Sequence, residues 1–99
     1  VPSSQGIRRT YMEWVYLVKS GEAVKVGRTR ELAKRLETLQ TGSPEPLVIL
    51  RGYRMAAAWA PEAEQSIRDN MSRPIRGEWV SWQPGMERIA DGIAMRFLR

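Results

Sequence analysis

The sequence predicts a mixed α+β domain, built on a small, mostly antiparallel sheet of three or four strands flanked by helices. Three observations lead there. Strand-like and helix-like segments alternate in the order β-β-α-β-α-β-α. The order opens with two strands around Ser20-Gly21, a hairpin that a purely parallel sheet would not require. The chain has 99 residues, 42% apolar and 27% charged, which suits a single core and argues against disorder.

The elements follow in order. Residues 1–10 are polar and read as a flexible N-terminal arm ahead of a single domain spanning 11–99. Tyr11 to Val18 is rich in aromatic and β-branched residues and reads as a strand. Ala23 to Gly27 reads as its hairpin partner. A two-residue loop at Ser20-Gly21, or a four-residue loop over Lys19 to Glu22, sets Tyr16 directly opposite Lys25, with Cβ atoms about 5 Å apart. A three-residue loop would put the two on opposite faces.

Glu31 to Gln40 reads as a helix, because Leu32, Leu36 and Leu39 recur at helical spacing. Thr29 is a suitable N-cap, and Thr41-Gly42-Ser43-Pro44 ends the helix. Arg28 and Arg35 point the same way if the helix extends back to residue 28, with Lys34 on another side. Leu47 to Tyr53 is the most continuous apolar run and reads as a buried central strand. Pro61 suits the first turn of a helix over Pro61 to Met71, with Ala63, Ile67 and Met71 on its apolar face. Ser72 to Gly77 reads as a basic loop and Glu78 to Trp82 as a last strand. Met86 to Leu98 reads as a closing helix, packed through Met86, Ile89, Ile93 and Phe97.

Composition narrows the chemistry. There is no cysteine and no histidine. A disulfide framework, thiolate sites, His metal ligands and His-based acid–base catalysis are therefore excluded. No apolar run approaches the roughly 20 residues needed to span a bilayer, and no N-terminal pattern reads as a signal peptide. A cytoplasmic location is expected, with no membrane partner. Val1 in place of Met suggests a processed or excised start. The net charge is +5, carried by 13 Arg and 3 Lys. The guanidinium fork grips phosphate in two places, so an Arg-biased basic domain favours nucleic acid as its partner. The plainer account is an Arg-rich soluble protein.

Five residues form the candidate constellation: Tyr16, Lys25, Arg28, Arg35 and Glu64. Read singly, each has an ordinary role. Tyr16 suits a half-buried sheet position and Lys25 a solvent-facing one. Arg35 can pair with Glu31, and Glu64 with Arg68, as i, i+4 helix pairs. Arg73 and Arg76 suit a solvated loop, and Trp79 and Trp82 suit core and rim packing. Their joint order carries the functional case.

The stretch WVYLVKSGEAVKVGRTRELAKRLETLQTG resembles the opening of the GIY-YIG nuclease superfamily. Trp14-Val15-Tyr16 stands at the first motif with its tyrosine. Lys25-Val26-Gly27 stands at the second, with Lys for the usual tyrosine and the glycine kept. Gly27-Arg28-Thr29 and Arg35-Leu36 match the following turn and the helix arginine. The chain is most similar to the phage and bacterial branch whose second motif reads Lys-Ile-Gly. That branch continues with a Glu, a His four residues later, an aromatic and Gly-Glu-Trp. Here these positions are Glu64, Arg68, Met71 and Gly77-Glu78-Trp79. The resemblance runs from Trp14 to Trp82.

The resemblance implies metal-dependent hydrolysis of a DNA phosphodiester by an endonuclease or nicking domain of low intrinsic specificity. A partner protein would supply the rest. Glu64 would be the sole protein ligand to one Mg²⁺ or Mn²⁺, which suits a hard ion that keeps its waters. Tyr16 would orient or deprotonate the attacking water, with Lys25 favouring the phenolate or itself acting as base. Arg35 and Arg28 would grip the scissile phosphate. Arg30, Arg68, Arg73 and Arg76 would hold phosphates without reading sequence. Arg68 in place of the branch histidine keeps a phosphate contact and loses an acid–base group. The alternatives are a weak or inactive DNA-binding module of the same fold, and a protein-interaction module using the last helix.

Overall fold

The computed structural model describes residues 11–71 and 74–98. Residues 1–10, with the expected arm, lie outside the described residues, as does Arg73. Eight elements follow in chain order: β1 (Met12–Ser20), β2 (Ala23–Thr29), α1 (Leu32–Thr41), β3 (Leu47–Ala56), α2 (Ala60–Asp69), β4 (Pro74–Arg76), β5 (Trp79–Ser81) and α3 (Met86–Ala94). The five strands form one sheet in the order β3-β1-β2-β5-β4, every pairing antiparallel. The α+β class holds, and the sheet has five strands where three or four are expected. The extra one is β4, a three-residue strand inside the segment that reads as a basic loop. Its pairing is too short to leave an alternating pattern.

Alternation splits the sheet residues between two faces. Val15 and Leu17 of β1, Val24 and Val26 of β2, Tyr53 and Met55 of β3 and Val80 of β5 form one buried cluster. Ala60, Ala63 and Ile67 of α2 and Met86, Ala90, Ile93 and Ala94 of α3 complete it. Helix α1 covers the other face: Leu32 lies over Gly52, beside which the Trp14 ring also packs. No residue of α1 is fully buried, and its leucine stripe is half-exposed. Among the described residues no helix is long and apolar enough to cross a membrane.

The hairpin register differs from the expected one by two residues. Tyr16 faces Gly27, and Lys25 faces Val18. The loop is Gly21-Glu22, since Gly21 takes a left-handed φ of 59° at its first position. A two-residue slip preserves parity, so Tyr16 and Lys25 still share a face. Arg28 belongs to β2, not to a helix extended backwards. The N-cap of α1 is Glu31, while the Thr29 hydroxyl accepts from the Glu31 amide at 3.2 Å.

The largest correction is β3, an edge strand in place of a buried central one. Val48 and Ile49 are exposed, and the helices bury only Tyr53 and Met55 fully. A bulge where the register shifts opposite Leu17/Val18 breaks the alternation within the apolar run. In α3, Ala90 and Ala94 pack inward and Ile89 is exposed, and the helix ends at Ala94, short of Leu98.

The packing leaves one edge of the sheet open. Strand β5 pairs with β2 only at Ala23, Val24 and Lys25. The backbone of β2 from Val26 to Thr29 therefore has a strand on one side only. Helix α2 meets this edge from one face and α1 approaches it from the other.

Away from that edge, α3 is tied to β3 by a polar cluster. Arg51 donates to both oxygens of Asp91, from Nε at 2.9 Å and Nη2 at 3.3 Å, and the Tyr53 hydroxyl donates to Oδ1. Arg51 first, then Tyr53, holds the Asp91 carboxyl below its usual range. The native state thus favours the carboxylate. Its contribution to stability is present above the ordinary Asp value of ~4 and is lost as pH falls through the lowered value. Thermal melts from pH 7 to pH 3 should show this loss, and Asp91→Asn should flatten it. Tyr53→Phe, which keeps the ring, should cost about 1 kcal/mol, or roughly 4–8 °C in Tm.

Candidate functional site

At the open edge of β2 lies a cleft of about 280 Å³, lined by Glu13, Tyr16, Lys25, Gly27, Arg28, Thr29, Arg35, Glu64 and Glu78. It draws on both faces of the sheet. Tyr16, Lys25 and Gly27 share the α1 face. Glu13 and Arg28 belong to the α2 face, in phase with Val15 and Leu17 of β1 and with Val24 and Val26 of β2. The two sets meet because no neighbouring strand separates them there.

Tyr16 is 1% exposed. Its ring lies across Gly27, so that a Cβ on residue 27 would stand 3.0 Å from Cε1 and closer still to Cζ and Oη. Only a residue without a side chain permits this approach. The phenol thereby reaches the cleft floor, where its oxygen accepts from Arg35 Nε at 3.3 Å. Arg35 reaches it from α1, on the half-buried side with Leu32, Leu36 and Leu39.

Glu64 comes from α2, one turn before Arg68 and on the face next to buried Ala63 and Ile67. Its side chain is 15% exposed. Arg28 Nε donates to Oε1 at 3.0 Å, and Arg68 Nη2 donates to Oε2 at 2.6 Å. Arg68 also donates to the Val26 carbonyl at 3.2 Å, satisfying part of the strand edge that β5 leaves unpaired. Arg28 Nη1 reaches Glu13 Oε1 at 3.1 Å. The Arg28 guanidinium is therefore held between two carboxylates, and the hydrogen bond to Glu13 is the foremost cause of its raised pKa.

Lys25 is placed differently from expectation. Its Nζ donates to Glu78 Oε1 at 2.6 Å, and this bond holds the Glu78 carboxyl below its usual range. The cation on the Tyr16 oxygen is Arg35, in place of Lys25.

All four expected catalytic residues, Tyr16, Lys25, Arg35 and Glu64, thus line one cleft, with Arg28 among them. Arg68 stands behind Glu64. Arg30 lies outside the cleft, 3.8 Å from Glu13 and with its guanidinium 5.7 Å from the Tyr11 ring centre. Arg76 belongs to β4, but its side chain, like the whole of Arg73, lies outside the described residues. Two cleft residues were not foreseen, Glu13 and Glu78. Glu13 was detectable as the lone carboxylate in an apolar strand. Glu78 was visible as the middle of Gly77-Glu78-Trp79, read there as a motif position and not as a side chain with a partner.

For a metal, the donor set is sparse. Among the described residues no three Asp or Glu side chains cluster as ligands. Glu64 offers a hard, half-sheltered carboxylate that opens into the cleft. It fits one largely hydrated divalent ion once Arg28 leaves Oε1. A larger hollow of about 420 Å³, between α1, β1, β2 and β4, contains no charged side chain in its lining and has no place in this chemistry.

Fold and cleft together define a small α+β module with a cleft of paired cations and carboxylates at a sheet edge. The chain belongs to the T5orf172 domain family, whose model matches residues 13–87. This is a phage-associated domain related to nuclease-like folds, and it is compatible with a nuclease-like or DNA-binding module. No curated protein and no solved structure matches the chain. The matched residues include every side chain of the cleft.

The close approach of Tyr16 to Gly27 is directly testable. Gly27→Ala should displace the ring and cost about 1–3 kcal/mol, lowering Tm by at least several degrees. A calorimetric scan with an unchanged Tm would contradict this packing.

Proposed function

We propose that this domain binds a DNA phosphodiester in the β2-edge cleft and hydrolyses it with one divalent cation. The reading rests on one observation: Tyr16, Lys25, Arg35 and Glu64, from four different elements, line the same cleft. The GIY-YIG resemblance of the motifs is compatible with the T5orf172 match but finer than it.

Each residue has a physical task. Arg35, whose Nε donates to the Tyr16 oxygen, and Arg28, once released from Glu64, grip the phosphate oxygens. Tyr16 Oη orients the attacking water and, acting as the phenolate, takes its proton. Water oxygen forms the new bond to phosphorus as the bond to the leaving oxygen breaks, and the leaving oxygen departs as an alcohol with a proton taken from solvent water. Lys25, held by Glu78, adds positive charge beside the phosphoryl group. Glu64 would hold Mg²⁺ or Mn²⁺, whose chemistry when bound is neutralisation of charge on the reacting phosphate. Nothing in the cleft reads base edges, so specificity would come from elsewhere or from a partner.

A second reading has its own observation. Both oxygens of Glu64 are taken by guanidiniums, and Arg68 stands where the similar branch carries histidine. A module so arranged would bind DNA and turn over slowly or not at all.

A plasmid assay in Mg²⁺ and Mn²⁺ separates the two. Hydrolysis predicts nicking by the wild type and a drop of at least about 100-fold in Glu64→Ala, with DNA still retarded on a gel. Retardation without cutting by the wild type supports the binding module. Neither cutting nor retardation rejects both.

A further inference from the structure

The cleft is balanced in charge. Lys25, Arg28 and Arg35 line it together with Glu13, Glu64 and Glu78. Lys25 is paired with Glu78, and Arg28 with Glu13 and Glu64. Among the described residues Arg35 has no carboxylate partner; it donates to the Tyr16 oxygen alone. A neutral cleft attracts a polyanion weakly, so the pull on a strand must come from the surface around it.

That surface lies on the other side of Arg35. A second hollow of about 260 Å³ is lined by Thr29, Arg30, Glu31, Lys34, Arg35 and Thr38. It shares Thr29 and Arg35 with the cleft, so the two hollows adjoin. Here three cations stand against one carboxylate. Lys34 has no ion-pair partner among the described residues, and Arg30 is held only loosely, 3.8 Å from Glu13 and 69% exposed. Both are free to turn to an incoming anion. Two threonine hydroxyls add neutral hydrogen-bonding capacity.

We propose that this hollow is a second phosphate subsite, which takes the phosphate next to the one in the cleft on the same nucleic-acid strand. Arg35 is shared between the two. A lone phosphate needs only one of the hollows. Two adjacent anion sites joined by a common guanidinium suit a ligand with successive phosphates. A further shallow surface shares Arg30, Glu31 and Lys34 with this hollow and includes Trp14, so the strand would run over the first turns of α1 towards β3. Lys34 and Arg30 thereby supply the electrostatic attraction that the balanced cleft lacks. The inference rests on the reading that the cleft holds a DNA phosphate.

The test is fluorescence anisotropy with a labelled single-stranded oligonucleotide, in EDTA, over a series of NaCl concentrations. Removing one cation that neutralises a phosphate should reduce the slope of log K against log salt by about 0.7. Lys34→Ala is expected to lower the slope by that amount and Lys34→Ala/Arg30→Ala by about 1.4. Arg88→Ala, on α3 and away from both hollows, should leave it unchanged. Melting curves check that the exposed-residue variants stay folded. Weaker binding in Arg35→Ala, with a wild-type slope in the Lys34/Arg30 double variant, overturns the subsite and leaves the cleft reading standing. No binding by the wild type at any salt concentration overturns the cleft reading and the subsite together.

Discussion

The site depends on one close approach, the Tyr16 ring lying across Gly27. Directly opposed residues on antiparallel strands ordinarily place two side chains side by side. Here one of the two is missing, and the phenol fills the space down to the backbone. A buried ring thus delivers its hydroxyl to the edge of the sheet. The second condition is the shortness of β5, which covers β2 only to Lys25. A longer β5 would close the edge and separate the α1 face from the α2 face. With the edge open, Arg35 from one side and Glu64 from the other reach the same cleft.

Charge compensation is the second organising principle. Half-buried carboxylates are tolerated only when they are hydrogen-bonded and paired. Glu64 meets this condition through Arg28 and Arg68, and Glu13 through Arg28. Arg68 also caps the free Val26 carbonyl, so one residue serves both the carboxylate and the strand edge. The consequence is a cleft whose cations are mostly engaged before any ligand arrives. Arg35 is the exception, and its position between the cleft and the hollow over α1 makes it central to any phosphate reading.

Much of this was legible in the sequence, for physical reasons that differ by element. The hairpin parity was legible because a β-strand has a period of two, so even a register two residues off kept Tyr16 and Lys25 on one face. The α1 stripe and the inward faces of α2 were legible because their apolar spacing is helical. The exposure of β3 was not, since a run of apolar residues looks the same at the edge and at the centre of a sheet, and the bulge that breaks its pattern is a tertiary feature. Strand β4 is too short to show a period. The partners of the ionised groups were the least legible part. Glu13 and Arg28 lie 15 residues apart and Lys25 and Glu78 lie 53 apart, and only the folded sheet brings them together.

The central claim is that Tyr16, Gly27 and Arg35 form the floor of a phosphate-binding cleft. The most direct measurement is a ¹⁵N–¹H correlation titration of the labelled protein with a short oligonucleotide, without added metal. The account predicts that the earliest and largest shifts fall on the Gly27 and Thr29 amides and the Arg35 Nε–H, while the Ile75 and Trp79 amides at the uncharged hollow stay in place. Shifts concentrated at Ile75, Trp79 and Leu39, with Gly27 and Arg35 unmoved, would contradict it.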